Sequence, residues 1–325
     1  MRTDARIRTD FDAASTADDV VAGRDLTGTA AIVTGASSGL GIETARSLAR
    51  AGSAVTLAVR DSARGRVAAE DIIRTTGNRD VTVAVVELTD GASIQRFVDN
   101  WNRPLHYLIN NAAVMGSPLA RTTEGWEMHF GTNHLGHFRL ALQLRDALAR
   151  GASAHGESRI VALTSTAHVM SPVVFDDVHY GARPYDPMAA YGQSKTANAL
   201  FAVEATRRWR DDGIVANSVN PGAISTGLQR HLTHEQAAEF DRLEEAGTFS
   251  YKTAQQGAAS TLVAALAPEF GVHGGHYVED GQEATDLPDD DTTAPPGQGV
   301  RRWATDPDAA ARLWDLSLNQ IAGVS

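Results

Sequence analysis

From Ala30 onward the chain alternates short β-branched apolar runs with longer stretches whose apolar residues recur at helical spacing. The pattern predicts strands near 30–34, 54–59, 81–87, 105–110, 159–164, 214–219 and 276–278, with helices filling most gaps. Strands separated by helix-length crossovers call for a parallel sheet covered on both faces, the doubly wound α/β architecture. Seven such strands make one domain, here residues 26–285. Ahead of it, residues 1–25 are polar and acidic. They form an arm in which Ser15-Thr16-Ala17-Asp18-Asp19-Val20-Val21 has the look of a capping box and a short helix. Behind it, residues 286–325 hold a loop from Asp286 to Gly299, rich in Asp and Pro, and a last helix near 306–321.

Composition narrows the partners. Lys and Arg total 29 against 40 Asp and Glu, a net charge of -11, so there is no broad basic field for nucleic acid or an anionic membrane. Cys is absent, which removes disulfides, thiolate metal sites and cysteine nucleophiles together. The N-terminus lacks the apolar core of a secretory signal, and nowhere do enough apolar residues run together to span a bilayer. A soluble, cytoplasmic protein is expected.

The first strand, Ala31-Ile32-Val33-Thr34, feeds Gly35-Ala36-Ser37-Ser38-Gly39-Leu40-Gly41, and a helix follows from Ile42 to Arg50, closed by Gly52. Glycines in such a turn let the backbone approach a pyrophosphate, whose charge is met by free N–H groups at the helix N-terminus. The spacing differs from the general Gly-x-Gly-x-x-Gly pattern, so a glycine-rich turn without ligand is the competing reading. At the end of the second strand stands Arg60, placed to pair with a ribose 2′-phosphate, with Arg64 a second contact and Ser37 or Ser38 supplying hydroxyls. This favours NADP(H), while Asp61 keeps NAD(H) open. A solvated strand-end arginine is the plain alternative.

Tyr191 and Lys195 fall one helical turn apart. A positive charge roughly 5 Å from a phenol, at an effective dielectric of about 20, stabilises the phenolate by about 3 kcal/mol and lowers its pKa by about two. Such a pair passes protons. Taken alone the spacing is weak evidence, because many solvated helices carry a tyrosine and a lysine four apart.

Thr34-Gly35-x-x-x-Gly39-x-Gly41, Asn110-Asn111-Ala112-Ala113, Asn133, Ser165, Tyr191-x-x-x-Lys195 and Asn220-Pro221-Gly222 occur in one order at compatible spacings. Together they resemble the short-chain dehydrogenase/reductase family over roughly residues 26–280. Thr132-Asn133-His134-Leu135-Gly136-His137-Phe138 and the residues around Tyr191 look like its retinol-dehydrogenase-like and WW-domain-oxidoreductase-like branch. The resemblance implies a single Rossmann-type domain with a seven-stranded parallel sheet. It implies that Tyr191 is the general acid or base, that Lys195 depresses its pKa and holds the nicotinamide ribose, and that Ser165 bonds the substrate oxygen. Asn133 would hold a water linking Lys195 to solvent, or bond backbone in a helix bend, or both. Asn111, Ala112 and Ala113 would line the adenosine side, and Pro221, Gly222, Ile224 and Thr226 the nicotinamide. At Glu87-Leu88 the family usually places Asp before a small apolar residue, so the adenine contact of Glu87 is in doubt while the backbone contact of Leu88 is not.

Ser165 and Tyr191 stand farther apart than in simpler members. The intervening insertion, near 168–188, is expected beside the substrate mouth or over a helix face that simpler members use for tetramer contacts, so a dimer or monomer is expected. After Thr226, the amphipathic stretch 227–248 reads as a lid or as an ordinary packed helix. Its Leu228, Leu232, Phe240 and Leu243 point to an apolar ketone, aldehyde or alcohol as substrate. His134 and His137, three apart, have no carboxylate at matching spacing, so no metal site is expected. The function read from all this is an NADP(H)-dependent carbonyl reductase or alcohol dehydrogenase. Reduction of an activated C=C bond, NAD-dependent oxidation and a non-catalytic NADP(H) sensor remain alternatives.

Overall fold

The computed structural model describes residues 6–224, 242, 244, 250–290 and 297–323. Seven parallel strands come in the expected places: β1 (Ala30–Thr34), β2 (Ala54–Val59), β3 (Val81–Val85), β4 (Tyr107–Asn110), β5 (Ser158–Leu163), β6 (Ile214–Asn220) and β7 (Tyr277–Glu279). A short antiparallel strand, β8 (Gln282–Glu283), turns back on β7 and extends the sheet to eight in the order β3-β2-β1-β4-β5-β6-β7-β8. Its brevity hid it, since two residues carry no periodicity. The loop after 286 also holds a small parallel pair, β9 (Asp286–Leu287) with β10 (Val300–Arg301).

Nine helices are described: α1 (Ala17–Val21), α2 (Gly39–Arg50), α3 (Ser62–Thr76), α4 (Gly91–Asp99), α5 (Gly136–Gln143), α6 (Arg145–His155), α7 (Pro187–Trp209), α8 (Ala254–Leu266) and α9 (Pro307–Ala322). Their starts follow local chemistry. Asp61 caps α3 by accepting from Ala63 N and Arg64 N, and Asp186 caps α7 the same way with Pro187 at its first position. Two cores lie on opposite faces of the sheet. One is formed by α1, α2, α3 and α8, the other by α4 to α7 with Trp314 of α9.

The arm belongs to the first core: Ala17, Val20 and Val21 are buried, and Ser47 Oγ donates to Asp18. Ahead of α1, Ile7 N and Thr9 N donate to the side chains of Glu283 and Gln282 at 2.9 and 3.0 Å. Helix α7 is buried along nearly its whole length, because α9 lies across its outer face. Trp314 stacks on Phe201 at 6.1 Å and meets Phe138 edge-on at 4.9 Å. The cover expected from the insertion is thus supplied in large part by the C-terminal helix.

The strand order reverses between β1 and β4, so the crevice at the carboxyl ends of these strands is the place for a ligand. Thr34, Val59, Asn110, Leu163 and Asn220 end there.

Candidate active site

The glycine turn closes on the loop after β4. Gly35 has φ +67°, and a Cβ there would meet Ala112 Cα at 2.9 Å; one on Gly41 would lie 2.6 Å from Asn111 Nδ2 and 2.8 Å from Gly35 O. Thr34 ties the two segments: its Oγ1 accepts from Asn111 N and Ala112 N, at 2.9 and 3.0 Å, and its carbonyl from Asn111 Nδ2. Ser38 is the N-cap of α2 but makes no side-chain cap bond, leaving N–H groups at the helix start for an anion. Leu40 and Ile224 close over Gly257 of α8, where a Cβ would lie 2.6 and 2.8 Å from their side chains. Gly35, Ser37, Ser38, Gly39 and Leu40 line this cradle and could hold the pyrophosphate of a dinucleotide. Ala113, half-buried, continues the β4 loop beside Ala112.

On the adenosine side Arg60 is largely exposed, its side chain 75 % accessible, with Nε 3.9 Å from Glu87 Oε2. Asp61 spends one carboxylate oxygen on the cap of α3. Glu87 accepts from Thr89 N and Oγ1, so its carboxylate is occupied locally. Leu88 is buried, and its carbonyl presses on Gly136, where a Cβ would come within 2.3 Å.

Tyr191, Lys195 and Ser165 converge at the end of β5. Lys195 is buried; Nζ donates to Leu163 O at 2.9 Å and lies 5.5 Å from the centre of the Tyr191 ring. Burial holds the Lys195 pKa down at about 7. Tyr191 moves the other way from the sequence expectation. Burial raises it to about 12, opposed by its hydrogen bond with Ser165. The Coulomb attraction expected at a surface-like dielectric gives way, inside the protein, to desolvation of both charged forms. The phenol is therefore a proton donor at neutral pH.

Asn133 sits on a π-helical turn, Phe130–Leu135, ahead of α5 rather than on a regular helix. Its Oδ1 accepts from Val114 N at 2.9 Å, and Nδ2 donates to Val114 O and Ser194 Oγ. Its backbone role is thus present. Pro221 and Gly222 follow β6; Gly222 has φ +84° and its N–H donates to Asn220 Oδ1. Ile224 pairs with Lys252 in a one-residue parallel bridge. Thr226 and nearly all of the lid stretch lie outside the described residues.

The insertion packs against α7 and the segment after β4. Gln193 of α7 accepts from Val174 N and donates to Val178 O, while Tyr185 OH lies 3.0 Å from Ser117 O and 3.1 Å from Glu127 Oε1. Several supporting residues escaped the sequence reading. Asn198 Nδ2 donates to the same Leu163 carbonyl as Lys195, and Thr164 Oγ1 donates to Lys195 O. Tyr277 OH donates to Ser165 O. His137 joins Thr34 Oγ1 at 2.8 Å to Asn133 O at 2.9 Å, and His134 bonds Ser317 Oγ. Asn198 and His137 each stand about one turn from a predicted site residue, and that spacing was the available signal. Thr164 and His134 adjoin the predicted Ser165 and Asn133, while Tyr277 comes from distant sequence.

Residues 29–237 match the family model for short chain dehydrogenases. A "Probable oxidoreductase" of Streptomyces lividans is 44% identical over 92% of this chain and 99% of its own. Human retinol dehydrogenase 11 is 38% identical over 91% of this chain and 86% of its own. A crystal structure of an uncharacterized Mycobacterium paratuberculosis protein, 32% identical, superposes with a TM-score of 0.70 over 93% of this chain and 97% of that one. Among the described residues no helix is long and apolar enough to cross a membrane. With the glycine cradle, the Tyr-Lys-Ser cluster and these matches together, the chain belongs to the short-chain dehydrogenase family of nucleotide-dependent oxidoreductases, in its retinol-dehydrogenase-like branch.

Proposed function

We propose that this enzyme interconverts an apolar ketone or aldehyde and its alcohol with NADP(H). The observation that carries the chemistry is Tyr191, buried, bonded to Ser165 and held protonated at neutral pH. When bound, the nicotinamide dinucleotide supplies the hydride. Tyr191 gives its proton to the carbonyl oxygen as negative charge develops there, and Ser165 Oγ bears part of that charge. Lys195, with a pKa near 7, is poised to exchange the proton that restores the phenol.

The exposed Arg60 and the engagement of Asp61 as a helix cap support NADP(H) over NAD(H). Apolar substrates are supported by Leu119 on the segment after β4 and by Val169 and Met170 on the turn after Ser165, all exposed large hydrophobic side chains. The alcohol named for human retinol dehydrogenase 11 is of the same kind.

The test is consumption of NADPH and NADH by the purified chain against a panel of apolar aldehydes, ketones and enones, with product analysis. Alcohol formed with NADPH supports the reading. A saturated ketone from an enone, or equal rates with NADH, would displace the C=O or the NADP(H) half respectively.

A further inference from the structure

Behind the ring of Tyr191 lies a buried carboxylate–imidazole pair that the hydride mechanism does not use. Glu127 and His129 are both fully buried, with His129 Nδ1 2.7 Å from Glu127 Oε1. Glu127 Oε1 also accepts from His129 N at 3.0 Å and faces Tyr185 OH, and Oε2 accepts from Phe130 N at 2.8 Å. Desolvation pushes this carboxyl up, but the bonds from His129 and the backbone outweigh it and leave the pKa below the ordinary value. With Nδ1–H committed to Glu127, the imidazole accepts at Nε2 from Ser117 N, at 3.3 Å. Its ring meets that of Tyr191 edge-on at 6.1 Å. Glu127 N donates to His179 Nδ1 at 3.2 Å, so the insertion reaches the pair through both His179 and Tyr185. Tyr185 OH also lies 3.0 Å from Ser117 O; its single proton goes to one of the two oxygens, and the carboxylate is the stronger acceptor.

We propose that Glu127 and His129 are positioning residues that hold both walls of the substrate mouth, the β4 loop at Ser117 and the insertion at Tyr185, against the Tyr191 ring. The pair can serve two walls at once because the carboxylate accepts from Tyr185 OH while the imidazole accepts from Ser117 N, and burial makes each bond costly to lose. The consequence for turnover rests on the reductase function proposed above; the geometric claim is testable without it.

The decisive comparison is His129→Asn against His129→Gln. An Asn amide can still donate to Glu127 from near the Nδ1 position but leaves Ser117 N without its acceptor. A Gln amide does the reverse. Losing one such bond speeds hydrogen exchange at the Ser117 amide by about tenfold in the Asn variant, with the Gln variant near wild type. Tyr185→Phe shifts the faster exchange to residues 181–186. In assays with NADPH and decanal, His129→Asn raises KM for decanal by about tenfold, NADPH affinity stays unchanged, and Gln restores KM. Equally fast exchange at the Ser117 amide in the Asn and Gln variants, or exchange rising evenly through the chain, would show that the pair only fills volume and would overturn the proposal. A local exchange pattern in a wild-type protein that turns over no carbonyl leaves the pair standing and removes the reductase function instead.

Discussion

On the β1–β3 side of the crevice the surface offered to a ligand is mostly backbone: a left-handed Gly35, the uncapped start of α2 and the β4 loop pinned by Thr34. On the β5–β6 side it is side chains, Ser165, Tyr191 and Lys195, the last two buried with pKa values moved mainly by that burial. The first side works by letting a ligand come close. The second works by keeping water away, so that proton affinities differ from those in solution. Space is the sensitive quantity on one side, and desolvation on the other.

Removing the acid should have the largest effect. Tyr191→Phe keeps the ring and its packing but takes away the hydroxyl that bonds the Ser165 side chain. Turnover with NADPH should fall by about 10²- to 10⁴-fold, the usual worth of a positioned general acid, while NADPH still binds. Retained turnover would mean that the proton comes from elsewhere and that the β5–β6 side is not the chemical side.

The cofactor side should respond in discrimination and affinity instead. Arg60→Ala removes a charge-assisted contact worth about 1.5–3 kcal/mol, so the NADPH/NADH ratio of kcat/KM should fall by about 10- to 150-fold. An unchanged ratio would leave Arg60 as a solvated partner of Glu87. Gly41→Ala forces a methyl against Asn111 and Gly35, where a Cβ has 2.6–2.8 Å of room. Overpacking of this kind costs about 1–3 kcal/mol. If it displaces the turn, affinity for both nucleotides drops together and the NADPH/NADH ratio stays put. A selective loss of one nucleotide would contradict a backbone cradle.

The same contrast explains what was legible in the sequence. The strands, the crossover order and the glycine turn are local patterns with a fixed period or a fixed backbone demand, and Gly35, Gly41 and Arg60 stand where those patterns put them. Tyr191 and Lys195 stand out by residue type and spacing and Ser165 through the family resemblance, yet the direction of the Tyr191 pKa is opposite to the one spacing implies, because spacing gives a distance and says nothing of burial. Glu127, Tyr185 and Tyr277 were missed because their partners lie far away in sequence. The two-residue β8 was missed for want of any pattern at all. The placement of α9 over α7 depends on Trp314 meeting Phe201 and Phe138, a match of shapes that no single segment declares.

Desolvation on the chemical side leaves a mark on stability that can be read without substrate. Lys195 has a folded pKa near 7 against an ordinary 10.5. Between those values the unfolded chain binds the extra proton, so this residue makes stability rise with pH across that window and leaves it lowest below pH 7. Lys195→Met removes the ionisable group while filling similar space. The variant should melt higher than wild type at pH 6 and about level with it at pH 10, by about 2–4 °C for each kcal/mol recovered. A Tm difference that is the same at both pH values would mean that Lys195 is solvated and that its ordinary pKa survives. A larger gain at pH 10 would require a carboxylate or phenolate partner stabilising the ammonium. Either result would erase the difference between the two sides of the crevice, because Lys195 would then not be tuned by exclusion of water.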